Sequence, residues 1–280
     1  MTEPAPPKTR LALRPLFIGL AVLIPLIPIV VGLVLSTGSG PSRATSASAA
    51  THFDPVADAP SSPSSPSPGH PAAHHSALPP GRGALVAIVE HPTQMRSRPG
   101  GGRRLATVTR RTNFGSVQTF WVVRDSGRWL GVISTLAGNN QVGWVPASSV
   151  SLSRNTWELK ATLSARELTV LENGTAIKHY PIAIGKPSAP TPTGRFAVTD
   201  RLLTGDPSGP YGCCILALSA TAPHAIEDWS GGNRIAIHST PEVDSIGHPV
   251  SHGCMRLSLA DGRWLLAHIP LGTPTLVVDT

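Results

Sequence analysis

The stretch His238-Ser239-Thr240, followed by Ser251-His252-Gly253-Cys254-Met255-Arg256, holds the densest set of reactive side chains in the chain. A cysteine attacks as its thiolate, and a neighbouring histidine can take the proton. Two histidines lie close enough in sequence to serve. His252 stands two residues before Cys254, and His238 sixteen before it, at the end of the apolar run Arg234–Ile237. A strand end is a rigid mount for a base, and the connection 239–253 is long enough to return the cysteine to it. Gly253 gives the chain φ/ψ freedom just before the thiol. Its N–H and that of Cys254 could share one concavity as an oxyanion hole. Arg256 offers a fixed cation for a substrate carboxylate, with Ser251 beside it as a second substrate contact. On spacing alone, two other readings stand beside the nucleophile. A buried cysteine is usually an inert small hydrophobe. Two His and a Cys could also hold zinc if Cys213 or Cys214 completed the set.

Outward from this stretch, the sequence from Trp157 onward reads as strands. Glu167–Leu171 and Ala176–Ile184 flank Glu172-Asn173-Gly174, and Asn-Gly is a strong hairpin signal. Arg195–Thr199, Ile215–Leu218, Arg234–His238 and Leu276–Val278 are further short strands. One helix is expected, with Ser258 as N-cap, Asp261 three residues on, and Trp264, Leu265 and Ile269 behind it. Upstream, Leu85–Glu90, Leu105–Thr109, Val117–Arg124, Trp129–Ser134 and Gly143–Val145 alternate between turn clusters, as in a small β-barrel. No nucleophile–base pair stands out in that segment, which reads as a binding or spacing module.

Composition sets the limits. The 280 residues include 27 Gly and 29 Pro, too many breakers for a helical bundle. Three cysteines are too few for a disulfide framework. Neither a dinucleotide fingerprint nor a P-loop is present. The formal net charge of +7 is unevenly placed. Residues 83–154 hold nine Lys/Arg against two acids, whereas residues 155–280 hold nine against eleven. Arg96, Arg98, Arg103, Arg104, Arg110 and Arg111 thus mark the middle module as a candidate binder of anionic polymer.

The N-terminal third reads differently. Pro15–Leu35 is 21 residues without charge, preceded by Lys8, Arg10 and Arg14. That length spans a bilayer as a helix, and the flanks place residues 1–14 in the cytoplasm and the remainder outside. A signal anchor is preferred over a cleaved signal peptide ending near Ala47-Ser48-Ala49, because a signal h-region is shorter. Residues 36–82 contain nine Pro, eleven Ser and nine Ala, with too little apolar bulk to order themselves. They read as a disordered linker.

The string His238 … Ser251-His252-Gly253-Cys254-Met255-Arg256-Leu257 resembles the signature of the L,D-transpeptidase catalytic domain (the YkuD-type family). Thr191-Pro192-Thr193-Gly194-Arg195-Phe196, Gly209-Pro210-Tyr211-Gly212, Leu218-Ser219 and Ile237-His238-Ser239-Thr240 agree with it in order, so the resemblance covers roughly residues 156–280. Many members have Gly where Ser239 stands here. The resemblance implies a β-sandwich catalytic fold over residues 155–280, with few short helices. It implies Cys254 as nucleophile, His238 as base, Ser239 orienting the ring, and His252 as support in the cysteine loop. It also implies peptidoglycan stem peptides as substrate, with neither metal nor nucleotide cofactor. Residues 83–154, ending in Trp129-Leu130-Gly131-Val132 and Gln141-Val142-Gly143-Trp144-Val145, resemble SH3-like modules of bacterial wall proteins. The location expected is the cell membrane, single-pass, with the catalytic domain outside the cytoplasm, where the basic module would meet no nucleic acid. Cys213 and Cys214 are expected not to be nucleophiles, and two packed free thiols are preferred over a vicinal disulfide.

Overall fold

The computed structural model describes residues 54–55, 81–223 and 232–280. The expected anchor Pro15–Leu35 and most of the linker lie outside the described residues. Among the described residues no helix is long and apolar enough to cross a membrane.

After a two-residue strand β1 (Asp54–Pro55), seven strands form one sheet: β2 (Ala84–Val89), β3 (Thr93–Arg98), β4 (Gly101–Val108), β5 (Thr119–Asp125), β6 (Trp129–Ile133), β7 (Val142–Pro146) and β8 (Val150–Asn155). Their spatial order is β4-β3-β7-β6-β5-β2-β8, and every pairing is antiparallel. Met95, Phe120, Leu130, Val132 and Val145 fill the core. Two of these strands were not expected. β3, Thr-Gln-Met-Arg-Ser-Arg, buries only Met95, and β8 buries only Val150 and Asn155, so neither carries the alternation that marks a strand. β3 is held extended between β4 and β7, and β8 by its ladder to β2.

The remaining chain gives β9 (Trp157–Thr162), β10 (Glu167–Glu172), β11 (Thr175–Pro181), β12 (Ile184–Gly185), β13 (Gly194–Leu203), β14 (Cys214–Thr221), β15 (Arg234–Ser239), β16 (Pro249–Ser251), β17 (Met255–Leu257), helix α1 (Leu259–His268) and β18 (Pro274–Val278). A long sheet runs β11-β10-β9-β18-β13-β14-β15-β17, with β1 paired to β13 and the pair β12-β16 separate. The β10–β11 turn uses Asn173 and Gly174 at φ 53° and 80°, as Asn-Gly predicts. The Ser258 hydroxyl caps α1 by accepting from Asp261 N–H at 3.1 Å. The fold is mainly β with one α-helix and two three-residue 3-10 turns among the described residues, in line with the few short helices expected. Three parallel pairings were not foreseen: β9 with β18, β12 with β16, and β15 with β17. The β15–β17 crossover contains no long helix, so no βαβ pattern announced it.

Alternation along β14 and β15 sets which residues face where. Leu216, Leu218, Ile235 and Ile237 point into the main core with Phe196, Met255 and Leu265. Ile215 and Ala236 point to the other side, where they cluster with Leu202 and Cys254. His238 follows Ala236 by two residues and pairs across the ladder with Ile215, so it shares that second face.

Two asparagines join the two sheets. β13 and β14 pair as far as Val198↔Leu218 and then splay. The Ala137–Gln141 turn fills the gap. Asn139 Nδ2 donates to Thr221 O at 2.7 Å, and Thr221 N–H donates to Asn139 Oδ1 at 2.9 Å. Asn140 Nδ2 donates to Thr193 O, and Arg195 N–H donates to Asn140 Oδ1, both at 3.1 Å. A Cβ on Gly194 would fall on the Asn140 amide, which accounts for the glycine ending Thr191-Pro192-Thr193-Gly194.

Candidate active site

The parallel pairing of β15 and β17 sets His238 beside Arg256. Cys254, one residue before β17, lies in the apolar cluster with Ala236, Ile215 and Leu202. Cys254 is 7% exposed and His238 3%. The imidazole Nδ1 lies 2.8 Å from the Ser239 carbonyl oxygen. A carbonyl can only accept, so Nδ1 carries the proton and Nε2 is left as the basic atom. The Tyr211 ring meets the imidazole edge-on at 5.0 Å.

Ser239 therefore orients the ring through its backbone. Its hydroxyl turns the other way, accepting from Cys214 N–H at 3.1 Å and lying 3.3 Å from Tyr211 O. It holds the Tyr211–Cys214 segment against β15, which in turn places the tyrosine against His238. A glycine at this position would keep the carbonyl and lose only that brace.

The cysteine loop closes on itself. Gly253 has φ +115°, and a Cβ there would come 2.8 Å from Ile235 Cδ1. The Ser251 hydroxyl donates to Cys254 O at 2.6 Å and accepts from Gly253 N–H at 3.0 Å. Two expectations are corrected here. Ser251 is 1% exposed with its hydroxyl engaged inside the loop, so it shapes the loop and does not present itself to a substrate. The Gly253 N–H donates to the same hydroxyl and is therefore not free to serve as an oxyanion donor. His252 points outward, with Nε2 3.1 Å from Lys186 Nζ, and Lys186 N–H donates to Ser251 O at 2.9 Å.

The electrostatics also differ from expectation. Burial pushes the Cys254 thiol up to about 11, against smaller opposing effects of the Ala236 N–H and the Arg256 charge. Burial pulls His238 down to about 4; its bond to the Ser239 carbonyl opposes this, and the Arg256 charge adds to it. The sequence expectation is a cysteine that attacks as its thiolate. In the free site desolvation of both groups wins, so thiol and imidazole are both neutral at pH 7. Arg256 pairs with Glu242 at 3.1 Å, and its buried Nε has no hydrogen-bond partner. That Nε is enclosed, so only the partly exposed remainder of the guanidinium is open to an incoming carboxylate.

Cys213 and Cys214 are joined to each other, which corrects the preference for two free thiols. Both are buried, and Cys213 Sγ sits 3.4 Å from Ser239 Oγ. Bonded sulfurs are not thiolate ligands, and no cluster of three or more His, Cys, Asp or Glu suited to a metal occurs among the described residues. Of the six arginines of the middle module, Arg96, Arg98, Arg103 and Arg104 share the β3–β4 hairpin, while Arg110 and Arg111 lie on a separate loop.

Residues 158–277 match the family described as the L,D-transpeptidase catalytic domain. The likeness to this family lies in that segment. YkuD of Bacillus subtilis (strain 168) is 34% identical over 117 residues, covering 42% of this chain and 63% of the relative. L,D-transpeptidase 1 of Mycobacterium tuberculosis (strain H37Rv) is 36% identical over 129 residues, covering 42% of this chain and 49% of the relative. The chain thus spans less than two thirds of the length of either relative. A solved L,D-transpeptidase from Mycobacterium smegmatis shares 23% identity, with a TM-score of 0.36 over 71% of this chain and 95% of that one. The family match covers Cys254, His238, Ser239 and Arg256 and leaves the seven-stranded sheet outside it. Sequence reasoning missed Tyr211, Glu242 and Lys186. Tyr211 and Lys186 reach the site from segments distant in sequence, whereas Glu242 lies within the 239–253 connection; only the Gly-Pro-Tyr-Gly turn gave any signal.

Proposed function

We propose that the chain is a peptidoglycan L,D-transpeptidase working through a cysteinyl acyl-enzyme. The observation that carries this is the shared face of β15, with a thiol over Ala236 and, two residues on, an imidazole whose tautomer leaves Nε2 basic, inside a segment of the matching family. Cys254 Sγ attacks the carbonyl between diaminopimelate and the terminal D-Ala of a tetrapeptide stem, and Nε2 of His238 takes the thiol proton. Transferring that proton during attack avoids a free thiolate in a site that disfavours charge. The Cys254 N–H supports the developing oxyanion, and the Arg256 guanidinium supplies positive charge for a substrate carboxylate. The amide C–N bond breaks and D-Ala leaves with the proton from His238. The side-chain amine of a second stem then attacks the thioester, forming a new amide and restoring the thiol.

The location supported by the charge around Pro15–Leu35 is membrane-anchored, with this domain outside the cytoplasm. The all-antiparallel seven-stranded sheet of residues 84–155 supports an SH3-like reading of that module, and the acid-free β3–β4 hairpin supports an affinity for anionic wall polymer. Incubating the chain with tetrapeptide-containing muropeptides and weighing the products tests the reaction. Cross-linked dimers lacking one D-Ala are expected. Tripeptides alone would instead establish an L,D-carboxypeptidase, and attachment of a protein amine would establish a third acceptor. Unchanged tetrapeptides would refute the enzyme.

A further inference from the structure

The face that holds Cys254 and His238 is not completed by the C-terminal sheet. The loop between β4 and β5 lies on it. This loop braces itself: Thr112 N–H donates to Ser116 O at 2.9 Å, Arg111 Nη1 to Gly115 O at 2.7 Å, and Phe114 N–H to Thr112 Oγ1 at 3.2 Å. The Thr112 hydroxyl in turn donates to Oδ1 of Asp200 on β13. Asp200 is fully buried, and its Oδ2 faces Arg234 Nη1 at 3.5 Å. Asp200 precedes Leu202 by two residues, so a buried charge on the catalytic face fixes the loop's register. The result is specific to one side chain. Phe114 packs against the cluster of Leu202, Ile215, Ala236 and Cys254, with the Arg234 guanidinium 5.6 Å from its ring centroid, and stays partly exposed.

We propose that Phe114 is the wall of the acyl-donor cleft, contacting the aliphatic stem of the donor residue whose carbonyl Cys254 attacks. This rests on the L,D-transpeptidase reading above. A residue serving only to glue two domains would be enclosed by apolar groups of both. Phe114 instead packs against the cluster that contains Cys254 and remains partly exposed. The three methylenes of a diaminopimelate side chain offer apolar surface of matching kind, and their burial on the ring adds binding energy. The N-terminal sheet therefore supplies a substrate contact, and donor recognition is divided between the two sheets.

The test compares the full chain with its Phe114→Ala, Phe114→Leu and Thr112→Val variants. The donor is a disaccharide tetrapeptide carrying diaminopimelate, with D-Ala release as the readout. Iodoacetamide alkylation of Cys254 reports the thiol independently of any donor. Phe114→Ala is expected to raise KM about tenfold, equivalent to ~1.4 kcal/mol, with kcat within about threefold. Phe114→Leu should recover most of the loss, and Thr112→Val should shift KM in the same direction because the loop loses its anchor. Alkylation should be no slower in any variant. Wild-type turnover with KM unchanged in Phe114→Ala overturns the contact. Equal loss of kcat and alkylation in both Phe114 variants also overturns it, by showing a folding role. A wild-type chain that releases no D-Ala overturns the transpeptidase reading and the contact with it.

Discussion

Acidification is the most direct probe of the buried imidazole. His238 titrates at 6.5 when exposed and at about 4 in the folded site. Between those values the unfolded chain binds the extra proton and the folded chain does not. Stability must therefore fall as pH drops through 6.5 and level off only below about 4. The linkage relation puts the loss between about pH 7 and about pH 4.5 at about 2.4 kcal/mol from this one group. Carboxylates titrate over the same range, so wild type must be compared with His238→Gln, which is uncharged throughout. Urea unfolding at five or six pH values, with ΔG extrapolated to water, gives the difference directly. The gap between the two proteins should close, or change sign, by about 2 kcal/mol across the range. Parallel curves would show that His238 is hydrated in the folded protein, and the argument that the thiol and imidazole are both neutral would fail. The same reasoning sets activity: the acid limb of kcat/KM in the free enzyme should lie near 4 to 5, well below an ordinary histidine.

Other outcomes follow from the geometry. Cys254→Ala should gain no acyl mass from tetrapeptide while retaining its unfolding midpoint within about 1 kcal/mol, since one sulfur leaves little cavity; an adduct on this variant would place the nucleophile elsewhere. The raised Cys254 pKa makes stability decline as pH rises from 9 toward about 11, and Cys254→Ala should lack that alkaline loss in the same urea series. Intact mass without reductant should lie about 2 Da below the reduced mass, while Cys213→Ser/Cys214→Ser should lower the melting temperature, because two hydroxyls enter the core, with less effect on the rate of D-Ala release. His252→Ala should cost far less activity than His238→Ala, measured as D-Ala release, because its ring faces Lys186 and not the cluster around Cys254.

The positions of the buried thiol and imidazole and the capped helix were legible because each is written locally. Cys254 sits in a Ser-His-Gly-Cys-Met-Arg string, His238 ends an alternating apolar strand, and Ser258 precedes Asp261 by three residues. What was not legible depends on contacts between distant segments. Nothing around Thr112 or Phe114 announces that a loop will hydrogen-bond a carboxylate 88 residues away. The thiol's neutral state was not legible for a related reason. Adjacency of His and Cys can be read in a sequence, whereas the burial that outweighs it arises only when Leu202, Ile215 and Phe114 converge. The Gly253 N–H was misassigned because the Ser251 hydroxyl two residues earlier competes for it, a local bond the spacing allows but does not require.

The turn holding Asn139 and Asn140 has a consequence for how the protein comes apart. Each side-chain amide supplies one donor and one acceptor to a strand that has lost its neighbour, so it serves as a rung of ladder lent by another part of the chain. Were the N-terminal sheet to melt first, four backbone groups around Thr193, Arg195 and Thr221 would lose their partners at the same moment. Local melting of that sheet is thereby penalised within the catalytic one, and the two should unfold in a single cooperative transition. A catalytic domain cut free at residue 156 would keep its sequence signature but start with an open seam between β13 and β14. Such a fragment is a poor stand-in for the intact chain in any measurement of stability, and its unfilled seam is a place where another copy's strand could pair.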